Sequence, residues 1–295
     1  MIDLHMHSTF SDGTYTPEEL VKKIVKKGLK AAALTDHDVV DGCLFFEKAA
    51  QNAGLLTVHG SELSVHYPKV SMEIVALDIP TKNLQAFKDR QLKMKEERLR
   101  VARERLDLLN KLGIKLSWDE IVCDDMGNSR NQVGKPHIVA AMLRHGYIKT
   151  WDEGFSCYLN KGCSAYVAKK EPEYNEVISF VAENGAVPIL AHPIHTKKTG
   201  KDLFELFKEL KSCGLSGVEV FHSDHDKSLK KDYLAMIEEL NMITAGGSDF
   251  HGGAHPEVEI GTGKGDLNIP DMVFEVLKER NNPTGAYYSE LKKSI

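Results

Sequence analysis

No stretch of this 295-residue chain approaches the roughly 18 consecutive apolar residues that a membrane-spanning helix needs. The amino terminus, MIDLHMHSTFSDG, lacks a charged-then-apolar leader, so the expected compartment is the cytoplasm and no membrane partner is expected. Cysteine is sparse. The five residues Cys43, Cys123, Cys157, Cys163 and Cys213 are scattered, odd in number and free of any CxxC pair, which argues against a disulfide framework and a thiolate zinc site. An excess of positive charge is also missing. The formal charge of −5 speaks against broad binding of duplex nucleic acid but leaves small anionic substrates open, because bound cations reverse the sign locally. Internal repeats and low-complexity segments are absent too.

What the chain does have is an alternation of short apolar runs with helical patterns, the mark of βα units around a parallel sheet. After IDLH, Thr16-Pro17-Glu18-Glu19 forms a capping box with proline at the first helical position. It leads into Leu20, Val21, Ile24 and Val25 at helical spacing, and Gly28 supplies the stop. AAALT, a helix from about Val40 to Ala53, LLTVHG and a strand near Glu73–Leu77 follow. Residues 81–168 break the rhythm: Phe87 to Leu112 reads as one long charged helix, with Leu99, Ala102, Leu106 and Leu109 on one face. The strand patterns AVPILAH, SGVEVFH and NMITAGGSD then restore it. The expectation is an α/β barrel of roughly seven parallel strands, formed by residues 1–80 and 169–295, with 81–168 as a helical insertion subdomain.

Five strand patterns end in, or run directly into, metal-ligand residue types: His5 and His7, Asp36-His37, Glu62, His192, and Asp249 with His251. In a (β/α) barrel the carboxyl ends of the strands converge on one face, so these residues can meet there. Side chains two apart on a strand share a face, which lets His5 and His7 address one ion. Asp12, in SDG, joins the candidates. Imidazole and carboxylate without thiolate suit manganese, iron or zinc, and a carboxylate such as Glu62 can bridge two ions.

The motifs DLHMHSTFSDGT, LTDHD, GSELS, GKPHI, LAHP and GGSDFHG, in this order, resemble the PHP (polymerase and histidinol phosphatase) superfamily, and within it the stand-alone metal-dependent phosphoesterases. The resemblance implies a distorted (β/α)7 barrel, an inserted helical subdomain and a site for two or three divalent ions built from nine positions. Carried over, it puts His5, His7, Glu62 and Asp249 around a first ion, Glu62 and His192 on a second, and Asp12, His37 and His251 around a third. The ninth position, usually histidine in the family, is Glu73 here, with His66 as the competing candidate.

Asp36 and Asp38 flank His37 and are candidates to orient it. His59 lies near the Glu62 strand, while His145, His195 and His255 read as helix-end or loop residues. His222 and His225 follow a strand and could reach a substrate. The expected activity is hydrolysis of a phosphomonoester, a nucleotide or nucleoside bisphosphate, by a metal-activated water. His192 or His222 would protonate the leaving group, and Arg98, Lys135, His137 and His222 would hold the substrate. The family commonly has arginine where Lys135 stands. The alternatives are an exonuclease acting on short oligonucleotides and a non-catalytic metal-binding module.

Overall fold

The computed structural model describes residues 1–123, 127, 129–130, 133–280 and 283–295. Its seven strands lie in sequence order in one sheet: β1 (Ile2–Asp3), β2 (Ala31–Leu34), β3 (Leu56–Ser64), β4 (Glu73–Leu77), β5 (Val187–Leu190), β6 (Gly217–His222) and β7 (Ile243–Gly247). The two ends of the sheet meet. Leu4 N–H donates to the Gly246 carbonyl at 3.1 Å, Asp249 N–H to His5 at 2.9 Å and His7 N–H to Phe250 at 2.9 Å, so the sheet closes into a barrel.

Helices follow the strands on the outside: α1 (Pro17–Lys27) after β1, α2 (Cys43–Ala53) after β2, α7 (Tyr174–Glu183) before β5, α8 (Gly200–Ser212) after β5 and α9 (Lys227–Glu239) after β6. Between β4 and α7 lie α3 (Leu84–Lys111), α4 (Asp119–Val122), α5 (Lys135–Arg144) and α6 (Trp151–Gly154), and the chain ends with α10 (Met272–Glu279) and α11 (Gly285–Ser294). No helix among the described residues is long and apolar enough to cross a membrane.

The local signals act as expected at α1, where Thr16 accepts from Glu19 N–H at 3.3 Å and Glu19 accepts from Thr16 N–H at 2.9 Å. Gly28 closes the helix at φ 74°, and Leu20, Val21 and Ile24 are buried while Val25 faces solvent. Helix α2 starts at Cys43 rather than Val40, because Val39 and Val40 are buried in the preceding loop and Gly42 takes the cap position.

One expectation is corrected. The strands are not all parallel, because β4 runs antiparallel to both β3 and β5. A parallel connection needs a crossover of about a dozen residues or more, and only the short segment 65–72 joins Ser64 to Glu73. The consequence reaches the functional face: the first residue of β4, rather than its last, lies where the parallel strands end.

Three apolar clusters hold the elements together. The largest joins the barrel strands to α7 through α11 and takes in Leu84 and Phe87 from the start of α3. A second lies under α1 and α2. The third is built by residues 99–165, with Ala102, Leu106 and Leu109 of α3 against Ile138, Val139 and Met142 of α5. Helix α3 therefore spans two cores, anchored to the barrel by its first turns and to the intervening helices by its last.

Barrel closure leaves no room at Gly247, where an added Cβ would stand 2.2 Å from His5 Cβ and 2.3 Å from its backbone nitrogen. Backbone cannot yield as a side-chain tip can. Gly247→Ala is expected to push β7 off the residues after β1 and to cost at least about 3 kcal/mol, measured as a lowered urea midpoint.

Candidate metal centre

The run Asp3-Leu4-His5-Met6-His7 alternates across the barrel wall. Leu4 packs into the main core and Met6 into the cluster under α1 and α2, so His5 and His7 share the opposite face, both fully buried. Glu62 arrives from β3, His37 from the loop after β2, where it bridges Glu62, and His192 directly after β5. Asp249 and His251 follow β7. His192 at φ 23° and Asp249 at φ 59° both have left-handed backbone, a strained conformation for a side-chain-bearing residue. Glu73 enters from the start of β4, which points at this face only because that strand is reversed.

The side chains converge on Glu62. Its Oε2 lies 3.2 Å from His5 Nε2, 3.3 Å from His7 Nε2 and 3.1 Å from His37 Nδ1, and its Oε1 is 2.8 Å from His192 Nε2. Asp249 Oδ1 stands 3.4 Å from His5 Nε2 and 3.2 Å from His7 Nε2. His5 Nε2, His7 Nε2, His37 Nδ1, Glu62 Oε2 and Asp249 Oδ1 are all buried without a hydrogen-bond partner.

An unpaired buried polar atom costs about 1–3 kcal/mol, so a cluster of them requires an occupant. Ligand atoms held tetrahedrally 2.0–2.2 Å from a zinc-sized cation stand roughly 3.3–3.6 Å apart, close to the spacing found here. The donor set therefore fits divalent cations. Among the described residues, three groups bring their ligand atoms within 4.8 Å of one another: His5, His7, Glu62 and Asp249; His7, Asp12, His37 and His251; and His37, Glu62 and Glu73. His192 stands beside the last, 3.6 Å from Glu73 Oε2.

The electrostatics are those of a site short of positive charge. Burial opposes protonation of His7, yet Asp249 and Glu62 outweigh it and push the imidazole up to about 10. Burial and the adjacent Glu62 push Glu73 up to about 8. His66, the competing ninth candidate, is exposed, and its backbone pairs with Pro172 and Tyr174.

Three buried carboxylates set the geometry around this cluster. Glu219, in β6, was not singled out in the sequence: Oε1 accepts from His5 Nδ1 at 2.8 Å and Oε2 from His192 N–H at 2.8 Å. The first contact turns the His5 Nε2 lone pair toward the cluster. Asp36 accepts from Ser8 N–H, Ser8 Oγ and Ser11 Oγ at 2.6–2.7 Å, so it fixes the turn carrying Asp12 rather than orienting His37. Asp38 likewise serves Ser64 and Arg98 instead of His37. The only sequence signal for Glu219 is its charge amid the apolar residues Val218, Val220 and Phe221 of β6.

The expected substrate groups divide. Arg98 is paired with Asp38, and its NH2 reaches Ser64 Oγ at 3.4 Å, the atom on which Lys169 Nζ also rests at 2.7 Å. Lys169, missed in the sequence, thus joins Arg98 beside Glu73, the cross-strand partner of Ser64. Lys135 bonds Asn160 at 2.9 Å, and burial with Arg105 and Lys169 nearby brings its amine down to about 8.

Of the His137 ring, Nδ1 accepts from Gly134 N–H at 3.0 Å at the start of α5, and burial brings the imidazole down to about 4. His222 Nδ1 accepts from Asp224 N–H at 3.1 Å, which leaves Nε2 to carry the proton, 3.7 Å from Asp249 Oδ2. His225 is buried against the His222 ring with its Nδ1 on the Val220 carbonyl at 3.0 Å, His59 pairs with Glu47, and His145 and His255 are exposed. His195 is half-exposed beside His192 and Asp224.

A family model described as the PHP domain matches residues 3–186. The chain belongs to the PHP domain family. It is 30% identical over 276 residues, 93% of this chain and 97% of the relative, to a protein of Haemophilus influenzae named 5'-3' exoribonuclease. It is 27% identical to the 3',5'-nucleoside bisphosphate phosphatase of Chromobacterium violaceum, over 85% of this chain and 87% of that one. Among solved structures, a protein of Bifidobacterium adolescentis assigned as a metal-dependent phosphoesterase superposes with a TM-score of 0.82 at 27% identity, covering 94% and 95% of the two chains. In this PHP chain the polar cluster lies on the face where the carboxyl ends of its parallel strands meet.

Two outcomes follow. Glu219→Gln places an amide against two donors, His5 Nδ1 and His192 N–H, and is expected to lower manganese affinity by about 10–100-fold in a chelator competition. Burial, then the neighbouring His222, holds His225 down at about 3 against an unfolded value near 6.5. A depressed histidine contributes stability that is complete above pH 6.5 and lost as pH falls toward 3. Urea midpoints of His225→Gln should therefore decline less than those of the unaltered protein between pH 6.5 and 4.

Proposed function

We propose that this protein hydrolyses a phosphomonoester, of a nucleotide or a nucleoside bisphosphate, by attack of water at a site holding two or three divalent cations. Manganese, iron and zinc suit the donors. The observation that carries this is the convergence of unpartnered imidazole and carboxylate atoms on Glu62 at cation-ligand spacing. His5, His7, Glu62 and Asp249 would hold one ion, Glu62, Glu73 and His192 another, and Asp12, His37 and His251 a third. Bound cations make hydroxide available near neutral pH and draw charge from the phosphate oxygens.

The chain's own groups do the rest. His222, with Nδ1 occupied, presents Nε2–H toward Asp249 and is the donor for the leaving oxygen. His192, whose Nε2 faces Glu62 and Glu73, would be occupied by the second ion and so would not serve as the acid. Arg98 and Lys169 bring positive charge to the Glu73 side of the site, and Lys135 adds a third cation. We read residues 81–168 as an insertion that presents Arg98 and Lys135 to a barrel of residues 1–80 and 169–295, a division supported by the insertion's own apolar cluster. The cytoplasm is the inferred setting, in keeping with five free cysteines.

A second reading, an exonuclease trimming short oligonucleotides, is favoured by the name of the Haemophilus influenzae relative. A panel of mononucleotides, nucleoside bisphosphates and short oligonucleotides with added manganese separates the two. Inorganic phosphate released from the first two supports the phosphatase, and nucleotides released from the oligomers alone support the exonuclease. Exhaustive chelation should abolish turnover and manganese restore it. Asp249→Asn should reduce turnover far more than thermal stability, and Lys169→Ala should lower kcat/KM by about 1.5–3 kcal/mol, the worth of a hydrogen bond to a charged group. Turnover by protein shown by elemental analysis to be metal-free would exclude the mechanism.

A further inference from the structure

The loops that follow β1 and β2 bring an aromatic pair to the carboxyl face of the barrel, beside the polar cluster. Phe10 sits in the turn held by Asp36, its N–H donating to Ser8 Oγ at 3.1 Å, and Asp12, a member of the cluster, follows two residues later. Phe45 lies in the first turn of α2. That helix leaves the carboxyl end of β2, so its amino-terminal turn stands on the same face as the cluster.

The rings stack with centroids 5.5 Å apart and planes inclined by 29°. Gly42 allows the approach, because a Cβ there would come within 3.1 Å of the Phe10 ring and of Asp36 Oδ2. Phe45 is nevertheless 53% exposed, the only exposed phenylalanine among the described residues, and Leu44 beside it is 45% exposed. The pair is thus tied to the cluster by the Ser8–Ser11 turn and still presents apolar surface to solvent.

The chemistry next to it says what would cover it. A nucleotide carries its phosphate and its base one sugar apart. Two residues of chain, at most about 7 Å, separate Phe10 from Asp12. Aromatic side chains stack on any base through its π-face, without hydrogen-bond readout, and a neutral ring pair adds no charge to compete with the phosphate contacts.

We propose that Phe10 and Phe45 form a stacking platform for the base of the nucleotide whose phosphate enters the metal site. This deepens the proposed function and rests on it. The platform makes the enzyme selective for phosphoesters that carry a base, with little preference among bases.

The test compares Phe45→Ala, Phe45→Leu and Phe45→Trp in manganese-loaded protein. Because Phe45 is exposed, these variants should fold. The readout is the ratio of kcat/KM for adenosine 5'-monophosphate to that for ribose 5-phosphate. Phe45→Ala and Phe45→Leu should lower this ratio about five- to hundredfold, the worth of one base stack, mainly through KM for the nucleotide, while Phe45→Trp keeps or raises it. Saturation-transfer NMR with adenosine alone reports stacking without turnover, and its signal should vanish in Phe45→Ala.

An unchanged ratio in Phe45→Ala, or equal losses on both substrates, overturns the platform. So does a concentration-dependent dimer that Phe45→Ala abolishes, since the patch would then belong to a second copy. If the unaltered protein hydrolyses no nucleotide, the functional reading fails, and the adenosine signal still decides the platform by itself.

Discussion

One buried carboxylate organises the centre of this molecule. Glu62 faces His5, His7 and His37 through one oxygen and His192 through the other, histidines drawn from three separate segments of the chain. Hydrogen bonds alone do not account for it: Oε2 and the three imidazole nitrogens opposite it lack partners, and the cost of leaving such atoms unpaired would be paid without return in a purely structural cluster. A set of divalent cations would supply the missing interaction for all of them at once. Barrel closure, the left-handed backbone at His192 and Asp249, and the carboxylates of Glu219 and Asp36 all act to hold side chains around that point.

Strand direction is the constraint that makes Glu73 a member. Had β4 been parallel, Glu73 would start that strand at the far end of the barrel from His192 and Asp249. The short Ser64–Glu73 connection forces reversal, and the reversed strand delivers its first residue to the shared face. The same pairing sets Ser64 opposite Glu73, and Ser64 gathers Arg98 and Lys169. A local limit on chain connection thus joins the anionic and cationic sides of the site.

The side chains that converge on Glu62 stood out in the sequence because they sit at or just after strands, and the carboxyl ends of parallel strands in a barrel share one face. The cap at α1 was legible because its chemistry is local, and the apolar face of α3 because periodicity is local too. The direction of β4 was readable from the Ser64–Glu73 gap, but repeated βα units masked it. Glu219 and Lys169 were not visible: their roles are set by which atoms lie across the barrel, and nothing in their neighbourhood along the chain encodes that.

A carboxylate at Glu73 would weigh on the charge balance that the proposed chemistry depends on. Asp12, Glu62, Glu73 and Asp249 give the three candidate groups four carboxylates. Two divalent ions would only neutralise them, leaving no net pull on a phosphate. Three would leave an excess of two positive charges, which matches the dianion of a phosphomonoester near neutral pH better than the single negative charge of a phosphodiester. With histidine at that position the same three ions would carry one more unit of positive charge, binding product phosphate more tightly as well as substrate. In the proposed site Glu73 would couple two features that are otherwise independent. Burial and the adjacent Glu62 push its carboxyl up to about 8, so a cation against it would be what keeps it ionised at neutral pH. Its charge would also moderate the field of the bound cations and so ease release of the phosphate that the proposed hydrolysis produces.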